Sequence, residues 1–247
     1  MLSAITNLSK VLSLADDNDE GRKPMTLYRP MIWGAAVVVM LAGAVTGSAQ
    51  SAARLPADVN PDSLARLPYL QRKNLDEASQ KIFDVLPGRR PDGALSGPLA
   101  FAAYNPGVAK ALFDLHNAAV GGTLNAHVRE LAILVACRET NYNLEWNAHE
   151  PSAVKAGIDP KVIDVVRRNA ALTGIAEQDA VVIRFGRQLF TNRKVDSATF
   201  AKVVELFGQR GAMDIVAVMN TYAVSGFYAI AVDEQPPAGK PALEQSK

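Results

Sequence analysis

The stretch NYNLEWNAHE, residues 141–150, carries a phenol, a carboxylate and an imidazole at Tyr142, Glu145 and His149. In a helix these are positions i, i+3 and i+7, which stack on one face. Such a face can pass a proton or supply part of a metal site. It can also be a wet helix surface, where a Glu–His pair at i,i+4 contributes only about 0.2–0.5 kcal/mol. Glu130 is the second informative residue. Its i+3, i+4 and i+7 neighbours are Ile133, Leu134 and Cys137, so this carboxylate lies on an apolar stripe. Burying it ionised is costly, so it must find a partner or its pKa must rise. A raised pKa suits a general acid or base near neutral pH. An arginine from an adjacent helix would make Glu130 a structural ion-pair residue instead.

A metal centre is poorly served. Glu145 and His149 can both bind a cation, but a closed site needs three or four ligands. The other two histidines, His116 and His127, fall on separate helical segments without ligand spacing. No metal is expected. Cys137 is the only cysteine, so neither an intramolecular disulfide nor a CxxC pair can form. On an apolar helix it reads as a small buried hydrophobe.

Helices must position these groups. The periodicity predicts amphipathic or buried helices over 75–86, 106–120, 124–140, 141–157, 159–170, 176–190, 196–208 and 212–232. Asn105 before Pro106 and Asp159 before Pro160 are N-cap and first-turn pairs. Pro151 interrupts the helix that carries His149 and must kink it or remove a backbone bond. Residues 212–232 are apolar all round, which predicts a buried central helix. Their length would also suit a membrane span, but Asp214, Asn220, Thr221 and Ser225 favour the buried reading. No segment alternates with period two and no hairpin signal occurs. The expected class is all-α: about seven or eight helices in one domain over 65–233.

The rest of the chain bounds the setting. It has 247 residues, 49% hydrophobic and 21% charged, with a net charge of +1. Nothing there, and no basic stripe, suggests a nucleic-acid partner. Residues 1–49 look like a leader. Arg22, Lys23 and Arg29 precede an uncharged run from Pro30 to Ala53, and Gly47 and Ala49 sit at −3 and −1 of a candidate cleavage site. Either Met1 or Met25 can serve as the start. The expectation is an exported protein, periplasmic or secreted, beginning near Gln50. The alternative is an anchor at residues 31–49, since about 20 apolar residues span a bilayer. Residues 50–64 read as a flexible lead-in and 234–247 as a disordered tail.

The segment GPLAFAAYNPGVAKALFDL, followed by LNAHVRELAILVACRETNYNLEWNAHEPSAVKAGIDPKVIDVV, resembles the carboxymuconolactone decarboxylase-like family, which includes the alkyl hydroperoxidase D branch. The likeness extends over about residues 65–232 and rests on the order Glu130, Glu145-Trp146, His149. It implies a helical bundle of the alkyl hydroperoxidase D-like type that forms a homo-oligomer, a trimer or hexamer. It also implies a small-molecule pocket where the two motif helices meet. In the peroxidase branch a CxxC lies between the glutamate and the histidine. Matched by position, its cysteines fall on Tyr142 and Glu145, so the thiols of that chemistry are missing. The decarboxylase-like branch, without the CxxC, implies a cofactor-free lyase or isomerase acting on a small carboxylated or lactone substrate. By that resemblance His149 is the general acid/base and Glu130 orients and tunes it. Glu145 and Tyr142 complete a hydrogen-bonded catalytic cluster. Trp146 walls the pocket, and Tyr222 and His116 are further lining residues. Two alternatives remain: peroxiredoxin-type activity, which is the family's common label, and a non-catalytic oligomeric binding protein.

Overall fold

A computed structural model describes residues 55–236, Gly239 and Leu243. The expected leader or anchor, residues 1–49, lies outside them. The described residues form seven α-helices: α1 Glu77–Phe83, α2 Pro106–Val120, α3 Ala126–Glu139, α4 Asn143–Lys155, α5 Pro160–Arg167, α6 Glu177–Arg187 and α7 Ser197–Ala231. Among them there is no sheet, only three isolated bridges in the N-terminal segment.

The helix starts follow their capping chemistry. Asn105, Asn125, Asp159 and Asp196 each accept a backbone N–H from the first turn of α2, α3, α5 and α7. The end of α3 is equally specified. Asn141 takes the left-handed conformation with φ 50°, and the N–H groups of Asn141 and Tyr142 donate to the carbonyls of Arg138 and Cys137. This is a Schellman closure, in which asparagine tolerates the backbone that glycine more often supplies. It turns the chain sharply into α4, which runs through Pro151.

The most enclosed helix is α3, not the 212–232 segment. Every residue from Leu131 to Arg138 is buried, and α3 packs against α4, α5, α6 and α7. The expected central helix instead lies within α7, with Met213, Phe227 and Ile230 each more than half exposed. Its apolar composition does not put all its faces inside this chain. Helix α7 is also the one described helix long and apolar enough to cross a membrane by length and composition, although 56% of its apolar window is buried in the fold. Its two halves meet at Gly208, whose φ of 71° breaks the helical path; a side chain there would meet no atom, so backbone freedom is what the position requires.

Within residues 55–64, expected as a loose lead-in, Val59 and Ser63 are buried although most of the others are exposed. Ser63 is 1% exposed and its hydroxyl donates to the Leu67 carbonyl. Gln235 N–H donates to the Leu64 carbonyl and Arg66 N–H to that of Val232. These bonds tie the lead-in to the residues after α7, so the start of the expected tail is fixed too. Further on, Leu243 is 5% exposed and its N–H donates to Asn143 Oδ1 at the start of α4.

Candidate active site

Helices α3 and α4 bring Glu130, Glu145 and His149 together. His149 Nδ1 lies 2.8 Å from Glu130 Oε2, across the two helices, and Nε2 lies 3.3 Å from Glu145 Oε2, one turn back on α4. The Schellman turn sets this pairing, because it fixes which face of α4 meets the stripe of α3 that carries Glu130. Both carboxylates are largely withdrawn from solvent, with 12% and 8% of their side chains exposed.

Tyr222 of α7 closes the third side. Its ring meets the His149 imidazole edge-on, with centroids 5.0 Å apart, and its other flank meets His116 of α2 at 5.8 Å. Helix α7 can come this close because residue 226 is glycine. A Cβ there would lie 2.7 Å from Thr140 Oγ1 and 3.3 Å from Tyr142 Cβ, so any larger residue would push α7 off the α3–α4 turn.

The electrostatics follow from this packing. Burial alone would drive the His149 proton off, but the hydrogen bonds to Glu130 and Glu145, with their charges, outweigh it and hold His149 at a pKa of about 9. Thus His149 is an imidazolium at neutral pH, with each ring N–H directed at a carboxylate. His116 is shifted the other way: burial lowers its pKa, the Glu145 charge opposes that, and the charge of His149 adds to the lowering. Burial and the Glu145 charge push the Tyr222 phenol upward. Cys137 is fully enclosed, and burial, then Glu145 and Glu130, push its thiol well up, so the reactive thiolate is disfavoured.

Two expected site residues are placed differently. Tyr142 is buried but makes no hydrogen bond to Glu130, Glu145 or His149; it sits at the N-cap of α4, and its coupling to the cluster is electrostatic. Trp146 turns the other way. Its indole N–H donates to Glu150, which pairs with Arg167 of α5, and that guanidinium stacks over the Trp146 ring at 5.1 Å. An indole so held is core, and it lines neither cavity described below. Sequence reasoning missed Arg129. Its charge favours the ionised form of the Tyr222 phenol, and its guanidinium makes no ion pair among the described residues. Nothing in the local sequence distinguishes Arg129 from a surface arginine. Among the described residues no group of three or more His, Cys, Asp or Glu has an arrangement suited to a metal ion.

Two cavities open among the described residues, neither lined by Glu130, Glu145 or His149. One, of about 450 Å³, is apolar and runs beside α7 between Leu115, Phe190 and Met213. The other, of about 420 Å³, is polar and lies at the start of α4, with Tyr142 and Glu234 in its wall. His149 itself reaches solvent only through the 20% of its side chain that is exposed.

Comparison with known proteins agrees with the helical arrangement. The profile of the Carboxymuconolactone decarboxylase family matches residues 106–183, the span from α2 into α6. Two solved structures share the fold. One is the alkylhydroperoxidase AhpD core, an uncharacterized peroxidase-related protein from Ralstonia eutropha JMP134. It is 22% identical, with a TM-score of 0.53 over 71% of this chain and 93% of that one. The other is a single-residue variant of the debrominase Bmp8 in complex with 2,3,4-tribromopyrrole, 13% identical, with a TM-score of 0.51 over 69% of this chain and 90% of that one. Among curated proteins none matches significantly by sequence.

Proposed function

We propose that this chain, which carries the segment of the carboxymuconolactone decarboxylase family at residues 106–183, is a cofactor-free lyase or isomerase that moves a proton on a small carboxylated or lactone substrate. The observation that supports this reading most is the double engagement of His149, 2.8 Å from Glu130 and 3.3 Å from Glu145. A histidine held by two buried carboxylates keeps its proton at neutral pH and is a reservoir for one catalytic proton.

The geometry supports the following roles. The shorter bond to Glu130 orients the ring. The longer one, at Nε2, marks the proton to be handed over when substrate displaces Glu145. If a carboxylate leaves as CO₂, the electrons of the broken C–C bond collapse into an enolate, and the carbon takes its proton from Nε2. In an isomerisation the first step is removal of a proton instead. His116, kept neutral by burial on the far side of Tyr222, is the acceptor. Two histidines pushed in opposite directions give an acid and a base at one pH. The Arg129 guanidinium, which has no ion pair among the described residues, supplies the positive charge that a substrate carboxylate needs.

A thiol peroxidase is not supported. Residues 142 and 145 are not cysteines, and Cys137 is enclosed with its thiolate disfavoured. The same reading includes a homo-oligomer, trimeric or hexameric, in which the exposed Met213, Phe227 and Ile230 of α7 meet another subunit. The support is the exposure of these three apolar side chains on a helix otherwise built into the core. It also includes export directed by residues 1–49, on the composition of that run alone.

The test is solvent deuterium incorporation and CO₂ release across a panel of small lactones and carboxylated lactones. The wild type is expected to label or decarboxylate at least one. His149→Gln is expected to lose about 10²–10⁴-fold in rate, the usual worth of a general acid or base. A substrate turned over equally well by His149→Gln sinks the proposal.

A further inference from the structure

The residues that follow α7 build one wall of the 420 Å³ cavity, and its chemistry differs from that of the histidine cluster. Two acids stand side by side there, differently served. Asp233 has a cation, the Arg66 guanidinium at 3.7 Å. Glu234 has neither an ion pair nor a side-chain hydrogen bond among the described residues, although it is largely enclosed; burial, and then the charge of Glu145, raises its pKa to about 7. Tyr142, 3% exposed, also lines the cavity, and its hydroxyl makes no hydrogen bond among the described residues. The other polar groups in the wall are the amides of Asn141, Asn143 and Gln235, and no described Lys, Arg or His lines the cavity. Leu144, Ile230 and Leu243 give it an apolar side. The other titratable groups that act on Glu234 or feel its charge are Glu145 and Tyr142 from α4 and its N-cap, and Tyr69 from the N-terminal segment.

A carboxyl that is enclosed without a partner is destabilising once ionised, and a cation brought in from outside removes that cost. An anion here would meet Glu234, which has no cation among the described residues, and the charge of Glu145 behind it; only Asp233 is met by a cation, Arg66. We propose that this cavity binds a small organic cation, a primary ammonium on a short apolar chain. The ammonium sits on the Glu234 carboxylate, its remaining N–H groups reach the Tyr142 hydroxyl and the Gln235 side-chain carbonyl, and its chain lies against Leu144, Ile230 and Leu243. Three N–H donors on a compact head match acceptors that converge from different elements. The inference rests on the cavity and does not depend on proton transfer at His149.

The experiment is a titration of the full chain with n-butylammonium chloride at about pH 8, above the Glu234 pKa of about 7, with sodium butyrate at equal ionic strength as its counterpart. Amide chemical shifts report where each binds. Butylammonium is expected to saturate, with shifts confined to residues 141–144 and 233–235, and butyrate to produce none there. Glu234→Gln is expected to weaken butylammonium at least about tenfold, the loss of one charge-assisted bond, while melting no lower than wild type. Asp233→Asn, which removes a charge already met by Arg66, is expected to weaken it far less. His149→Gln is expected to keep butylammonium binding, which separates this site from the proton-transfer cluster. Butyrate binding as tightly as butylammonium, absence of saturation, or unchanged affinity in Glu234→Gln each overturns the proposal.

Discussion

His127 and His149 both contact a carboxylate at under 3 Å, yet only one of them is arranged as an acid. His127, in the first turn of α3, has Nε2 2.7 Å from Asp179 of α6, and 28% of its side chain is exposed. That contact joins two helices and leaves the second ring nitrogen without a carboxylate. His149 has one carboxylate on each nitrogen, and the edge of an aromatic ring covers it. The first pair clamps two elements together. The second holds a proton against the cost of burial. One His–carboxylate contact is therefore weak evidence of chemistry; a second carboxylate on the other nitrogen, in a dry setting, raises the pKa to about 9.

The largest expected effect breaks the comparison at its two carboxylates. Glu130→Gln keeps the shape but removes the charge that orients and tunes His149, so kcat on any substrate found is expected to fall by about 10²–10⁴-fold. Asp179→Asn, the matching change beside His127, is expected to leave kcat unchanged. Equal losses of kcat in the two variants would mean that both pairs are scaffold. Truncating Asp179 to alanine is expected instead to lower stability by about 1–2 kcal/mol, read from chemical denaturation, through the lost buried hydrogen bond.

The sequence carries part of this distinction. Glu130 stands out because it lies on an apolar stripe, and Glu145 and His149 because one turn of helix separates them. His127 and His149 look alike in isolation, because Asp179 is 52 residues from His127 and nothing local pairs them. Trp146 was expected to wall a pocket; what decides otherwise is Arg167 on α5, a long-range partner that no local pattern announces. The helices were legible because their period and caps are local, and the described residues form seven of them as the all-α reading requires. The order of burial was not, because composition alone does not say whether the neighbours of α7 come from this chain. The cavity beside Glu234 was hidden by the reading of 234–247 as a disordered tail. The bonds from Gln235 to the Leu64 carbonyl and from Leu243 to Asn143, which join residues far apart in sequence, show structure there.

A smaller effect, on pH dependence, sharpens the comparison. The His149 pKa rises from an unfolded 6.5 to about 9 on folding, so the folded state binds the proton more tightly. Its contribution to stability is complete below pH 6.5 and is lost as pH rises through about 9. Glu234 acts in the same direction over a lower window, from its ordinary 4.5 to about 7. Wild type is therefore expected to lose denaturation free energy between about pH 6.5 and 9. His149→Gln should flatten that window. A window that persists unchanged in His149→Gln would mean that this imidazole does not hold its proton on the two carboxylates. The pH–rate profile should show the same acid: activity is expected to fall above about pH 9 as His149 deprotonates.

The smallest expected effect belongs to Cys137. It lies within the field of both carboxylates of the cluster and is the only cysteine in the chain, so it is the residue through which a thiol peroxidase would have to work. Its thiol is fully enclosed, and an ionised sulfur there would face desolvation and the charges of Glu145 and Glu130 together. The field that holds a proton on His149 also holds one on Cys137. A thiolate is the form that attacks a peroxide, so its absence predicts hydroperoxide consumption at the background rate, with dithiol present, for wild type and Cys137→Ser alike. The substitution replaces sulfur by a smaller, more polar oxygen at a site with no exposure, so the melting temperature should fall modestly while His149 titrates as before. Rapid peroxide turnover abolished by Cys137→Ser would show that the enclosed thiol becomes accessible, and that the negative field around His149 is weaker than its two carboxylates imply.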